Sequence, residues 1–216
     1  MSAEPEEGLA GRLLDVFAVA ERLKRETRHS WLPDGRRESV AEHSWMVGLL
    51  ALLLHRPLAE PVRLDRVLAM ALVHDLAEAL TGDTPCFHAE DRAAKHAAER
   101  AAMARIAAPL PAEEASLLLD LWEECEAGRT AEARLVRSLD HLEVQAQHNL
   151  ADLSTWEPVE HDLVYTKMDA RSAHEPALRA FCAAIRSQAE ARMAEAGVDV
   201  PALRRRHGAA AGSAAP

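Results

Sequence analysis

Four side chains in this sequence have the chemistry of divalent-metal ligands: His43, the adjacent pair His74 and Asp75, and Asp140. The pair is the most informative. It closes the apolar run Leu68-Ala69-Met70-Ala71-Leu72-Val73, and two ionisable side chains in an apolar helix are costly to bury unless something pairs with them. A divalent cation is the simplest partner. A buried histidine with a structural aspartate would explain the dipeptide alone, and an ion pair with Arg137 would explain Asp140 alone. Together the four make an N2O2 donor set, which suits Mn, Co, Fe, Ni, Zn or Mg without choosing among them. The set lacks cysteine, which disfavours a structural zinc site. Four protein ligands leave room for water and a substrate oxygen, an arrangement for metal-assisted hydrolysis. Glu78 lies four residues after His74 on the same helix face, where a carboxylate reaches a bound water.

The elements that must position these residues read as helices. Only nine glycines, few aromatics and much Ala, Leu, Glu and Arg point to an all-α chain, a single-domain bundle of about six to seven helices. Apolar spacing predicts a first helix over about 9–26. A polar stretch over 27–38 follows, with a Pro33-Asp34-Gly35 turn signal. Its Arg28, His29, Trp31, Arg36 and Arg37 make it a candidate anion-binding wall. Ser39-Val40-Ala41-Glu42 is a capping box that opens a second helix, with His43 in its first turn and its end near His55. A third helix runs from an Asp65 N-cap to Leu80, with Gly82 as its stop, and carries His74, Asp75 and Glu78. Further helices are predicted over about 89–107, 112–126, 131–153 (bearing Asp140) and 175–196. Residues 154–171 read as less regular, and no strand pattern stands out. Residues 1–8 read as a disordered leader, 9–196 as the domain, and 197–216 as a flexible Ala/Arg/Gly tail.

Composition narrows the function classes. The net charge of −10 argues against binding a nucleic acid polymer, which needs a basic face, but not against a single nucleotide held by a local arginine and a metal. Cys86, Cys125 and Cys182 have no framework spacing, so they read as reduced core thiols of a cytoplasmic protein. No signal peptide is apparent. The apolar run Val47 to Leu54 is too short to span a bilayer. His96, among Lys95, Glu99 and Arg100, reads as exposed on a solvated helix face. His141 and His148 receive no role, and Arg204-Arg205-Arg206 reads as a solvated tail.

The order His43, His74-Asp75, Asp140 on helices resembles the HD-domain metal-dependent phosphohydrolase superfamily. Leu23-Lys24-Arg25, Arg28, Glu38-Ser39-Val40-Ala41-Glu42-His43-Ser44, His74-Asp75-Leu76-Ala77-Glu78 and Leu80-Thr81-Gly82-Asp83-Thr84-Pro85 resemble its 5′-deoxynucleotidase branch, the YfbR-like and HDDC-type proteins, over about residues 9–190. The resemblance implies an all-helical, commonly dimeric enzyme that hydrolyses nucleoside 5′-monophosphates. It implies one divalent ion on His43, His74, Asp75 and Asp140. Glu78 would handle the attacking water, Arg28 would hold the phosphate, and Asp83 would lie near the sugar. The residue after the arginine, typically aromatic in the bacterial enzymes, is His29 here, with Trp31 two residues on as a candidate substrate contact. Two rivals remain at this level. One is a dinuclear HD oxygenase or phosphodiesterase that recruits His88 and His96. The other is a non-catalytic nucleotide sensor.

Overall fold

The computed structural model describes residues 6–84 and 92–208. His88, Cys86 and Pro85 lie outside the described residues. The architecture is an all-α bundle: α1 (Glu6–Ala20), α2 (Val40–Leu54), α3 (Leu64–Val73), α4 (Glu78–Thr81), α5 (Arg92–Ala107), α6 (Ala112–Ala127), α7 (Ala131–Leu150), α8 (Pro158–Thr166), α9 (Met168–Ser172), α10 (Pro176–Glu195) and α11 (Val200–Arg206). Seven of these, α1, α2, α3, α5, α6, α7 and α10, have ten or more residues. They account for the six to seven expected; the shorter helices are additional.

Helix α7 is the centre of the bundle and packs against α2, α3, α6, α9 and α10. Its Leu135, Val136, Leu139 and Leu142 are buried against Val40, Val47 and Ala51 of α2 and Val67, Met70 and Ala71 of α3 in one apolar cluster. Each such fully buried aliphatic side chain contributes about 1.5–3 kcal/mol. A second cluster joins Trp156, Val164, Tyr165, Met193, Val200 and Leu203. It docks α11 onto α8 and α10, so residues 200–206, expected in a flexible tail, form a packed helix. At the other end α1 starts at Glu6, inside the expected leader. Cys125 and Cys182 are buried free thiols, as read. Among the described residues, no helix is long and apolar enough to cross a membrane.

Two local features depart from the sequence reading. The polar stretch is an antiparallel hairpin, β1 (Thr27–Trp31) and β2 (Arg37–Ser39), with Thr27 opposite Ser39 and Trp31 opposite Arg37. Strand alternation is hidden because the segment is short and its register is irregular. The hairpin is fastened from outside: the Gln147 side chain donates to the Trp31 carbonyl (2.8 Å) and His148 Nε2 to the His29 carbonyl (3.0 Å). The expected continuous helix over 65–80 is broken. It starts at Leu64, with Arg63 rather than Asp65 as the N-cap, and Arg63 donates its backbone N–H to Glu132 (2.9 Å). It ends at Val73. Residues 74–77 form a tight turn in which Leu76 N–H bonds Val73 O and Glu78 N–H bonds Asp75 O, three residues back, before α4 resumes.

Candidate metal centre and active site

Each ligand-type residue is placed by a different local device. The capping box forms as read: Ser39 Oγ accepts from Glu42 N–H (3.2 Å), and the Glu42 carboxylate accepts from Ser39 N–H (2.9 Å). It fixes the first turn of α2 and with it His43, which is 0% exposed. His74 and Asp75 sit on the turn between α3 and α4, and Asp140 projects from the middle of α7. Gly82 ends α4 at φ 78°, where a Cβ would meet Glu26 Oε1 at 3.3 Å. That same oxygen accepts the Asp83 N–H (3.1 Å), which seats Asp83 at the cavity wall.

The four residues converge. His43 Nε2 lies 3.4 Å from His74 Nε2, 3.7 Å from Asp75 Oδ2 and 3.2 Å from Asp140 Oδ1. His74 Nε2 is 3.4 Å from Asp75 Oδ2. The rear nitrogens decide the tautomers. His74 Nδ1 is 2.9 Å from the Ala71 carbonyl, which can only accept, and His43 Nδ1 is 2.6 Å from the carboxylate of buried Glu143. Both rings therefore carry their proton on Nδ1. The two Nε2 atoms then face each other beside two carboxylate oxygens, an arrangement that calls for positive charge between them, a second proton on His43 or a metal ion in its place. The residues fit a divalent ion, with Glu143 as the outer carboxylate that orients a ligating histidine. Among the described residues, the ligand clusters are His43-His74-Asp75 and Glu38-His43-Glu143. The second is the rear of the first.

Electrostatics agree. Burial and the Arg28 charge press the His43 pKa down, but Glu143 and Asp140 outweigh them and lift it to about 10, so this spot holds positive charge. Burial raises Asp140, yet His141 and His43 hold it well below the usual carboxylate range. Burial is likewise overcome at Asp75 by His74, Arg28 and His43. The Asp140–Arg137 ion pair considered from sequence does not form: Arg137 bonds the Cys125 and Glu126 carbonyls, and Asp140 lies 3.3 Å from His141.

A cavity of about 370 Å³ opens beside the ligands, lined by Arg28, His74, Asp75, Glu78, Asp83, Lys95, Asp140 and His141 among others. Arg28 Nη1 donates to Asp75 Oδ2 (2.9 Å). Glu78 is buried, and its Oε2 has no hydrogen-bond partner. Burial, Asp75 and Asp83 push its carboxyl up to about 10 against Arg28 and Lys95. Burial also raises Asp83. Trp31 is not brought to the cavity; its ring lies under the Arg37 guanidinium, 5.2 Å from the centroid. His96 is not on a solvated face: it is half-buried, stacked on buried Trp122 (centroids 5.4 Å apart), and lines the cavity without joining a ligand cluster.

Sequence reasoning missed Glu143, Lys95 and the wall formed by His148 and Glu160. Glu143 left a usable signal, a carboxylate three residues from Asp140 on the same helix face. Lys95 left none beyond its helical pairing with Glu99.

With that geometry in hand, the likeness to known proteins is direct. A family model described as "HD domain" matches residues 20–179. The chain is 34% identical over 152 residues to cattle (Bos taurus) 5′-deoxynucleotidase HDDC2, covering 68% of this chain and 73% of that protein. It is 31% identical over 134 residues to 5′-deoxynucleotidase YfbR of Shigella flexneri, covering 58% and 67%. The crystal structure of a metal-dependent phosphohydrolase, so predicted, from Magnetospirillum magnetotacticum superposes with a TM-score of 0.71 at 31% identity, covering 86% of this chain and 97% of that one. The chain belongs to the HD-domain superfamily, in its 5′-deoxynucleotidase branch of YfbR and HDDC-type proteins.

Proposed function

We propose that this metal-dependent HD phosphohydrolase cleaves nucleoside 5′-monophosphates, deoxyribonucleotides among them, to nucleoside and inorganic phosphate. The observation that carries the reading is the placement of Glu78: a buried carboxyl with an unpartnered oxygen, in the same cavity as His74, Asp75 and Asp140, which converge with His43 as a ligand set. A cavity of about 370 Å³ matches a small-molecule site. The relatives named as 5′-deoxynucleotidases support the substrate class.

His43, His74, Asp75 and Asp140 would hold one divalent ion, which would supply Lewis acidity toward a phosphoryl oxygen and lower the pKa of a water. Arg28 stays charged because the surrounding carboxylates outweigh its burial, and it binds phosphoryl oxygens through its guanidinium fork. With an ion's charge opposing the burial and the Asp75 and Asp83 charges that raise its pKa, Glu78 Oε2 would accept the proton of the attacking water, and the raised pKa suits it to hold that proton. The new bond forms from that water's oxygen to phosphorus as the bond to O5′ breaks in line, and the proton held by Glu78 passes to O5′, so the nucleoside leaves as its alcohol. Asp83, beside the phosphate end of the cavity, faces the sugar.

The same reading makes the protein a cytoplasmic homodimer that binds neither membrane nor nucleic acid polymer. Leu13, Leu14 and Phe17 of α1 and Trp45 and Leu53 of α2 are large apolar side chains at least half exposed, the kind of surface a subunit contact covers. The test is phosphate release from a panel of ribo- and deoxyribonucleoside monophosphates with Mn, Co, Mg, Ni and Fe(II), with metal content measured on the same sample. One ion per chain and release from 5′-monophosphates are expected. Tight nucleotide binding with no release under any metal would replace the enzyme by a sensor.

A further inference from the structure

Lys95 projects from α5 into the cavity that α4, β1 and α7 surround. Its ammonium lies 3.3 Å from Glu99 Oε1 and 3.7 Å from Glu78 Oε1. The plain reading is a helix-surface pair with Glu99 at i, i+4, which is marginal in water. Three observations go beyond it. The side chain reaches a second helix, to the carboxyl whose other oxygen is buried without a partner. Neither distance is that of a tight charge-assisted hydrogen bond, about 2.7–2.9 Å, so the three N–H donors are not consumed by these two carboxylates. Finally, Asp75, Glu78, Asp83 and Glu99 line one cavity, and a phosphate dianion entering there brings more negative charge. Arg28, already bonded to Asp75, and Lys95 are the cations whose charge bears on Glu78; Arg137, also on the lining, is turned to the Cys125 and Glu126 carbonyls.

We propose that Lys95 is the second side-chain cation of the phosphoryl site: it meets a phosphate oxygen from α5 as Arg28 does from β1, and it pins one oxygen of Glu78 while the other stays free for the water. The assignment rests on the phosphohydrolase reading and deepens it. It also gives the neighbouring acids a resident cation, so that Glu78 and Glu99 need no second metal. Glu99 and Glu78 outweigh burial in keeping Lys95 protonated, which supports the geometry.

The test uses the full chain loaded with Mn(II) and inorganic phosphate as the probe, by calorimetric titration. Lys95→Met keeps the stem and removes the charge. It should weaken phosphate binding by about tenfold or more, the scale of one charge-assisted contact, with one Mn(II) per chain retained. Lys95→Arg should stay within about fivefold of the unmodified chain because it keeps the charge. Glu99→Gln should tighten phosphate binding, because it releases the ammonium from its nearer carboxylate. In turnover, Lys95→Met should lower kcat as well as raise KM, since Glu78 is no longer held. Phosphate binding unchanged in Lys95→Met, weakened in Glu99→Gln, or absent from the unmodified chain overturns the proposal. Lys95-dependent phosphate binding in a chain that cleaves no nucleoside monophosphate would instead sink the substrate assignment and leave Lys95 standing.

Discussion

The hydrogen bond behind His43 offers the sharpest quantitative test of the metal centre. Glu143 is 1% exposed and its Oε2 is 2.6 Å from His43 Nδ1, so it fixes the proton on Nδ1 and bares Nε2 toward His74, Asp75 and Asp140. Glu143→Gln keeps the volume but removes the charge. A buried hydrogen bond to a charged group is worth about 1.5–3 kcal/mol, and outer partners of ligating histidines set metal affinity by about 10–100-fold. The amide can also turn its NH2 toward the ring, which would move the histidine proton onto the ligating nitrogen. The assay is Mn(II) affinity by chelator competition together with thermal or denaturant stability with and without metal. At a metal concentration about 100 times the unmodified dissociation constant, metal stabilises the native chain by about 2.7 kcal/mol. A 10–100-fold loss of affinity cuts that to about 1.4–0.4 kcal/mol by the same relation. Unaltered affinity and unaltered metal-dependent stabilisation would refute both the tautomer assignment and the claim that Glu143 serves the metal.

Further outcomes follow from neighbouring contacts. Asp75→Ala should abolish metal binding and turnover together, since Asp75 faces both imidazoles and anchors Arg28; metal content and phosphate release measured on one sample check it. Glu78→Gln should keep the metal but slow phosphate release by about 10²–10⁴-fold, the range of a positioned proton acceptor, and a near-native rate would remove Glu78 from proton transfer. Glu42 tests the helix that carries His43. The Arg36 hydrogen bond outweighs partial burial, and Ser39 adds to it, lowering the Glu42 pKa from 4.5 to about 2. A depressed carboxyl pKa gives stability that is present above 4.5 and is lost as pH falls toward 2. The unscreened value is about 3 kcal/mol, but Glu42 is 41% exposed, and solvent screening reduces it to about 1 kcal/mol. Glu42→Gln should therefore cost about 1 kcal/mol at pH 7, read by denaturant melts. The gap should narrow as pH drops through that window, and a pH-independent gap would refute the linkage.

The candidate ligands were legible because each leaves a local trace. His43 directly follows a capping box, His74-Asp75 closes an apolar helix, and Asp140 interrupts an apolar helix face. The long helices were legible for the same reason: their periodicity is imposed by a core that every turn must touch. What failed to show was whatever depends on a partner far along the chain. The hairpin holding Arg28 has little strand signature, since its strands pair over few residues and α7 fastens it through Gln147 and His148. Helix α11 reads as a solvated tail because its anchors lie elsewhere in the chain: Val200 and Leu203 join a cluster built by α8 and α10, Arg204 pairs with Glu190, and Arg206 and His207 meet Asp162. His96 looks solvated until Trp122, from α6, is placed over its ring.

The break between α3 and α4 shows why a helical period could find the right residues yet misstate their arrangement. A continuous α-helix sets successive side chains about 100° apart, which points His74 and Asp75 in different directions from one axis. The tight turn over 74–77 replaces four-residue backbone bonds with three-residue ones, which narrows the helix locally. In that geometry His74 Nε2 and Asp75 Oδ2 lie 3.4 Å apart, and the chain resumes at Glu78 with its carboxyl in the same cavity. Gly82 then ends α4 and Glu26 catches Asp83. Ten residues thus deliver His74, Asp75, Glu78 and Asp83 to one cavity. The opposite wall is α7, whose Asp140 and Glu143, one turn apart, meet the front and rear nitrogens of a single imidazole. The His43 ring is therefore held at both nitrogens by one helix. Loosening that hold at Glu143 should weaken the metal without touching a ligand, whereas loosening the 74–77 turn would displace ligands and acceptor together.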